Sequence, residues 1–225
     1  MTIKKIFVAC DVSSHKEIID LLELIHKDIS GIKIGLQYIT RRSPKEIREL
    51  SKFKKPIFYD GKFFDIKNTL IESVKSLEGL NVNYATVHLL NGLSALKAAN
   101  QTAKEINLNL LGVSILTSFG DEDLESLGFK NTVKDQVIKL IKIAMEAGLY
   151  GVICSPLEVK MIKEIAPKLK CFTPGIRMGN TKDDQKRTMT ANEAIKEGSD
   201  CLIIGRPITK GNPQENIKNI LSSID

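Results

Sequence analysis

The run Asp60-Gly61-Lys62-Phe63-Phe64-Asp65-Ile66 places three charges within six residues, directly after the apolar stretch Pro56-Ile57-Phe58-Tyr59. Side chains two apart on an extended strand share a face, so Asp60 and Lys62 are expected to project together from the end of a buried strand. Charges at the edge of a core are costly unless they are paired or hydrogen-bonded. A carboxylate beside an ammonium keeps that ammonium charged and able to deliver a proton. Proton donation is therefore the chemistry this spacing allows. A strand-end salt bridge has the same appearance, and the rest of the chain must separate the two.

Eight short apolar runs recur along the chain, at 5–10, 31–36, 56–60, 83–88, 109–115, 150–154, 170–173 and 200–205. Most are rich in Ile, Val, Leu or Phe, as expected of strands buried on both faces. Segments of helical period separate them. Ile18, Ile19, Leu22 and Ile25 form one stripe in 16–27. Val133, Val137, Leu140, Ile141 and Ala144 form another in 132–147, with Gly148 as a stop. Ser43-Pro44-Lys45-Glu46 has the form of a helix start capped by Ser43. Alternating strands and helices imply a parallel sheet, and eight repeats in this length imply an α/β fold, the closed (β/α)₈ or TIM barrel. No linker divides residues 1–225, so a single domain is expected, with a doubly wound open sheet as the alternative.

Such barrels carry their chemistry at the C-terminal ends of the strands. The residues expected there are Asp11, Lys33, Asp60, Lys62, Asp65, His88, Thr117-Ser118, Ser155, Arg177 and Gly205-Arg206. Charge collected at one mouth favours a site over scattered salt bridges. Near the last strand, Gly205 permits close backbone approach and Arg206 adds a guanidinium, a pattern suited to phosphate. The preceding polar stretch 177–187, bracketed by Arg177 and Gln185, has the composition of a lid that closes on an anion. Thr117 either touches substrate or caps the next segment. Asp183, Asp184 and Arg187 are assigned to holding that lid by ion pairs, and His15 and His26 to the surface.

Composition narrows the classes. The chain is 42% hydrophobic and 27% charged, with a net charge of +6 and no tryptophan. Lysines alternate with acids rather than forming a basic stripe, which argues against nucleic acid. Cys10, Cys154, Cys171 and Cys201 lie in or beside apolar runs without metal-ligand spacing and are assigned to the core of a protein in a reducing compartment. No stretch reaches membrane-spanning length, and a cytoplasmic location is expected.

With these residues in place, the chain resembles the orotidine 5′-phosphate decarboxylase family. The resemblance is carried by Asp60-x-Lys62-x-x-Asp65-Ile66-x-Asn68-Thr69, together with Val8-Ala9-Cys10-Asp11, Ile32-Lys33-Ile34-Gly35, Thr86-Val87-His88, Leu116-Thr117-Ser118, Cys154-Ser155, Pro174-Gly175-Ile176-Arg177, Asp184-Gln185-x-Arg187 and Gly205-Arg206-Pro207-Ile208-Thr209, in that order. It spans essentially the whole chain and fits the shorter bacterial-type members. Gly61, Phe64 and Lys67 depart from the common pattern, and Gly61 is expected to loosen the strand end.

The resemblance implies conversion of orotidylate to uridylate and carbon dioxide in pyrimidine synthesis, without metal or organic cofactor. It implies Lys62 as proton donor, with Asp60, Asp65 and Lys33 completing a charge array. It also implies a homodimer in which Asp65 and Thr69 reach into the neighbour's site. Asp11 and Lys33 are expected at the ribose, Ser155 at the pyrimidine edge, and Gln185, Arg177, Gly205 and Arg206 at the phosphate. The nearest alternative is a magnesium-dependent sugar-phosphate decarboxylase or synthase of the same superfamily. Those enzymes place a glutamate where Lys33 stands, and a lysine there repels a divalent cation. A barrel that binds a phosphometabolite without turnover is the alternative of another class.

Overall fold

The computed structural model describes residues 6–177 and 187–224. Eight parallel strands close into a barrel: β1 (Ile6–Ala9), β2 (Gly31–Gly35), β3 (Ile57–Phe63), β4 (Tyr84–His88), β5 (Asn109–Val113), β6 (Gly151–Ile153), β7 (Lys170–Thr173) and, after a small separate ladder, β10 (Cys201–Ile204). Each strand pairs with its sequence neighbour, and β10 pairs with β1 to complete the ring. Seven of the eight apolar runs read from the sequence contain one of these strands, and the eighth, 56–60, holds the start of β3, which runs on to Phe63. The ladder pairs β8 (Ile176–Arg177) with β9 (Met189–Thr190), so the ends flanking the polar stretch are joined by backbone pairing that composition did not foretell.

Strand alternation sorts the barrel into an inside and an outside. Phe7, Phe58, Tyr84, Leu111, Phe172 and Cys201 point inward and fill the lower barrel, with Phe7 edge-on to Phe58 at 6.4 Å and to Phe172 at 6.0 Å. The intervening residues, such as Val8, Ile32, Ile34, Ile57 and Leu110, face the helices and belong to the larger outer core. Both faces are apolar, which explains the near-continuous hydrophobic runs.

Helices cover that outer face. In helix His15–Ile25 the buried residues are Ile18, Leu21, Leu22 and Ile25. Leu21 thus occupies the stripe more deeply than Ile19, which is only partly buried. Each such burial contributes roughly 1.5–3 kcal/mol relative to exposure. Helix Val133–Glu146 buries the expected stripe, and Gly148 follows it at φ +68° as the stop. Ser43 caps Pro44–Glu49 in a reciprocal box with Glu46. All four cysteines are buried thiols. No helix among the described residues is long and apolar enough to cross a membrane.

Candidate active site

The inward alternation that builds the aromatic floor continues upward into charge. Two residues beyond Phe58 comes Asp60, two beyond Tyr84 comes Thr86, and Lys33 sits between the inward positions Gly31 and Gly35. Lys33 Nζ lies 3.1 Å from Asp11 Oδ1 and 3.4 Å from Asp60 Oδ2, and Lys62 Nζ lies 2.9 Å from the same Asp60 oxygen. The second oxygen of Asp60 accepts from the Thr86 hydroxyl at 2.9 Å. Asp60 and Lys33 are buried, whereas the Lys62 side chain is about one-third exposed and opens on the barrel mouth.

The array holds its own charges. Burial opposes the carboxylate of Asp60, but Lys33, Lys62 and the hydrogen bonds from Lys62 and Thr86 outweigh it and hold its pKa below the ordinary carboxylate range. Burial likewise opposes the ammonium of Lys33, and Asp60 and Asp11 outweigh it and raise its pKa. Both groups are charged at neutral pH. Gly35 makes the pairing possible: a Cβ there would lie 2.7 Å from Asp11 Oδ1 and 3.1 Å from Lys33 Nζ.

Two expectations about the charged run change. Its first four residues lie inside a strand, because β3 continues to Phe63 rather than ending at Asp60, and Phe64–Ile66 follow it. Simple alternation also does not place Lys62. The β3–β4 register shifts between Tyr59 and Phe63, so that Phe63 pairs with Val87, and Lys62 adopts φ +47°. A bulge with a left-handed lysine turns the ammonium to Asp60. Gly61 does not simply loosen this segment. Its missing Cβ would stand 2.8 Å from the Tyr59 ring, and Tyr59 packs on Phe63 at 5.8 Å between ring centres.

A cavity of about 330 Å³ opens above the array, within the range of small-molecule sites. Asp11, Lys33, Asp60 and Lys62 line one part, and Arg177, Gly205, Arg206 and Thr209 line another. Val113, Ile115, Ile153 and Ile203 form an apolar wall, and Thr117 also lines the space. Arg177 is buried and donates to its neighbour's carbonyl, Ile176 O, at 2.9 Å, while Arg206 is exposed at the start of helix Arg206–Thr209. Gly205 passes close to β1, where a Cβ would contact Ala9 Cβ at 3.4 Å.

Other expected site residues lie elsewhere. Asp65 and Thr69 are exposed beyond β3. The Asp65 carboxylate accepts from Ile66 N at 2.7 Å, and Thr69 sits in helix Lys67–Lys75. Neither lines the cavity of its own chain. Ser155 is fully buried outside the cavity, where its hydroxyl caps a short turn by accepting from Leu157 N at 3.3 Å. The same hydroxyl donates to Arg187 O at 3.4 Å. Gln185, Asp183 and Asp184 fall outside the described residues. His88 turns its Nδ1 to Leu90 N and its ring against Phe64. Burial, and then the charge of Lys62, depress its pKa, so it is neutral at pH 7, and it does not line the cavity. His15 is partly buried at the surface, where it bridges Tyr38 Oη at 2.6 Å and Glu49 at 3.1 Å.

Three contributors had no role assigned from the sequence, although Thr86 and Gly35 stand in blocks that carry the resemblance. Thr86 was signalled by alternation from Tyr84. Glu158 was signalled by the Ser155-x-x-Glu158 capping box, and it pairs with Arg187, whose guanidinium also reaches Leu116 O at 2.9 Å. The expected ion-pair role of Arg187 therefore has a named partner. Gly35 stands in the Ile32-Lys33-Ile34-Gly35 block of the resemblance, but its role was not readable there, since it is a contact with the remote Asp11.

Comparison with known proteins agrees with this geometry. The model of the orotidine 5′-phosphate decarboxylase / HUMPS family matches residues 4–220. An orotidine 5′-phosphate decarboxylase of Wolbachia pipientis is 40% identical over 221 residues, covering 97% of this chain and 98% of that protein. One from Legionella pneumophila is 38% identical over 226 residues, covering 98% and 99%. The crystal structure of orotidine 5′-phosphate decarboxylase from Lactobacillus acidophilus superposes with a TM-score of 0.86 at 29% identity, covering 99% of both chains. With the barrel, the Lys33–Asp60–Lys62 array and a match across nearly its whole length, the chain belongs to the orotidine 5′-phosphate decarboxylase / HUMPS family.

Proposed function

We propose that this protein decarboxylates orotidine 5′-phosphate to uridine 5′-phosphate in pyrimidine synthesis, with Lys62 protonating C6. The observation that carries the reading is the Lys62 ammonium, 2.9 Å from a buried aspartate and lining a cavity that also presents Arg177 and Arg206. The arginines, with Gly205, suit the phosphate, and Asp11 and Lys33 suit the ribose hydroxyls. The C6–carboxylate bond breaks, its electron pair stays on C6, carbon dioxide leaves, and Lys62 transfers a proton to that carbon. The in-plane pair is poorly delocalised, so fixed charge beside it is the main device available. Asp60 keeps the lysines in register and opposes the substrate carboxylate, a repulsion that ends when carbon dioxide departs. Enzymes remove about 8–23 kcal/mol from such barriers, more than one lysine contact supplies. Phosphate and ribose binding must therefore contribute.

A homodimer completes the array in this reading. Leu36, Phe64, Ile66 and Leu90 expose apolar side chains just beyond β2, β3 and β4, from 38% for Leu90 to 75% for Ile66. A second copy covering them would bring its Asp65 and Thr69 toward Lys62. A cytoplasmic enzyme working without metal fits the same reading.

The test is to mix the protein with orotidylate and follow the pyrimidine absorbance, with and without chelator. Turnover indifferent to chelator is the expected result. Chelator-sensitive turnover of a sugar phosphate instead would assign the chain to the magnesium-dependent branch. Tight binding without turnover would make it a binding barrel.

A further inference from the structure

The Thr86 hydroxyl touches both members of the candidate catalytic pair. It accepts from the backbone amide of Lys62 at 2.8 Å and donates to Asp60 Oδ1 at 2.9 Å. Thr86 is fully buried on β4, opposite the place where β3 bulges. The directions of these bonds follow from inventory. An amide can only donate, so the single hydroxyl hydrogen is left for the carboxylate.

Two consequences follow for the site. Engaging Oδ1 turns the carboxylate plane so that Oδ2 faces both ammonium groups, Lys62 at 2.9 Å and Lys33 at 3.4 Å. Lys62 also stands at φ +47°, a conformation that costs an L-residue energy and takes its amide out of the regular ladder. The hydroxyl gives that amide a buried partner.

We infer that Thr86 is a positioning residue: its hydroxyl holds the Asp60 carboxylate turned toward both lysines and holds Lys62 in the bulged backbone that delivers its ammonium to the cavity. A methyl group in place of the hydroxyl would leave a buried amide and a buried carboxylate oxygen each without this partner. For turnover, the inference rests on the decarboxylase reading; for the state of Asp60 it does not. The charged and titratable groups around Asp60 are Lys33 on β2, Lys62 on β3, Asp11 paired to Lys33, and His88 at the end of β4.

Thr86→Val removes the hydroxyl at nearly constant volume, and Thr86→Ser keeps it. Steady-state kinetics with orotidylate and a carbon-13 titration of the Asp60 carboxyl are measured on both. In Thr86→Val, kcat is expected to fall about ten- to a hundredfold with KM changed less than about threefold, the loss of hydrogen bonds to a charged pair. The Asp60 midpoint should rise by about one unit. Thr86→Ser should restore both. Should the valine variant not fold, Thr86→Cys, a poor hydrogen-bonder, replaces it in the comparison with serine. Unchanged kcat and Asp60 titration in the hydroxyl-free variant would overturn the inference, as would a serine variant impaired equally. If wild-type protein leaves orotidylate untouched, the proposed reaction fails, and the Asp60 titration alone still decides the role of Thr86.

Discussion

Two aspartates in this barrel each sit between two lysines, and they do different work. Asp60 at the C-terminal mouth accepts from Lys33 and Lys62. Asp200, just before β10 at the opposite end, accepts from Lys163 at 2.5 Å and Lys170 at 3.0 Å. In both, burial opposes the carboxylate and the surrounding donors outweigh it, lowering the pKa. The remaining partners separate them. Asp200 also accepts from Cys171 N at 2.9 Å, and Lys163 donates to Leu169 O, so this cluster clasps the start of β7 to its neighbours. Asp60 takes its additional bond from a side chain, Thr86, and its lysines face a cavity. An ion triad with backbone partners fastens strands, while one that opens on a cavity is left able to meet a ligand.

The comparison breaks most sharply at the lysines. Lys62→Ala should cut decarboxylation by about 10⁴-fold or more in a folded protein, while Lys163→Ala should leave it nearly unchanged. Substantial activity in the first variant would remove Lys62 from the proton-donor role. Next in size is a mixing experiment. Lys62→Ala and Asp65→Ala subunits, inactive separately, should together regain up to about a quarter of wild-type activity, because each mixed dimer has one intact site. No recovery after proven subunit exchange would put Asp65 in its own subunit's site.

Gly35→Ala places a Cβ against the Asp11–Lys33 pair and should lower kcat/KM about ten- to a hundredfold through misplacement, with little change in melting temperature. The smallest expected effect falls on the other triad. Asp200→Asn should cost about 1–3 kcal/mol of stability and leave kcat alone, which thermal melts and kinetics on one preparation would check. Its pH dependence carries a sign. The folded pKa of Asp200 lies below the unfolded value of about 3.9, so its contribution is full above that pH and is lost as pH falls through the folded value. The asparagine variant should therefore lose stability less steeply in acid than the wild type. An equal acid slope would mean that Asp200 has no part in it.

Much of the fold was legible. The strand runs were readable because strands buried on both faces must be apolar throughout, and helix Val133–Glu146 because one stripe alone is buried. The array was legible as residue types at strand ends. Its geometry was not. The bulge at Lys62 has only a faint local signature, the glycine at 61, since it arises from how β3 meets β4. Ser155 read as a ligand contact because its position at a strand end is compatible with one, and that its hydroxyl also caps a turn was not part of that reading. Gly61 read as looseness because the Tyr59 ring that fills its space could not be placed from sequence.

By itself, the order of residues along the chain determined the barrel and the set of charges at its mouth, because hydrophobic period and strand ends are local properties. Only the tertiary structure decided which charges meet. Lys33, Asp60 and Thr86 lie 26 or 27 residues apart from one strand to the next and come together through closure of the sheet. Burial then sets the terms of their meeting, since a carboxylate out of water must keep every partner that the fold supplies.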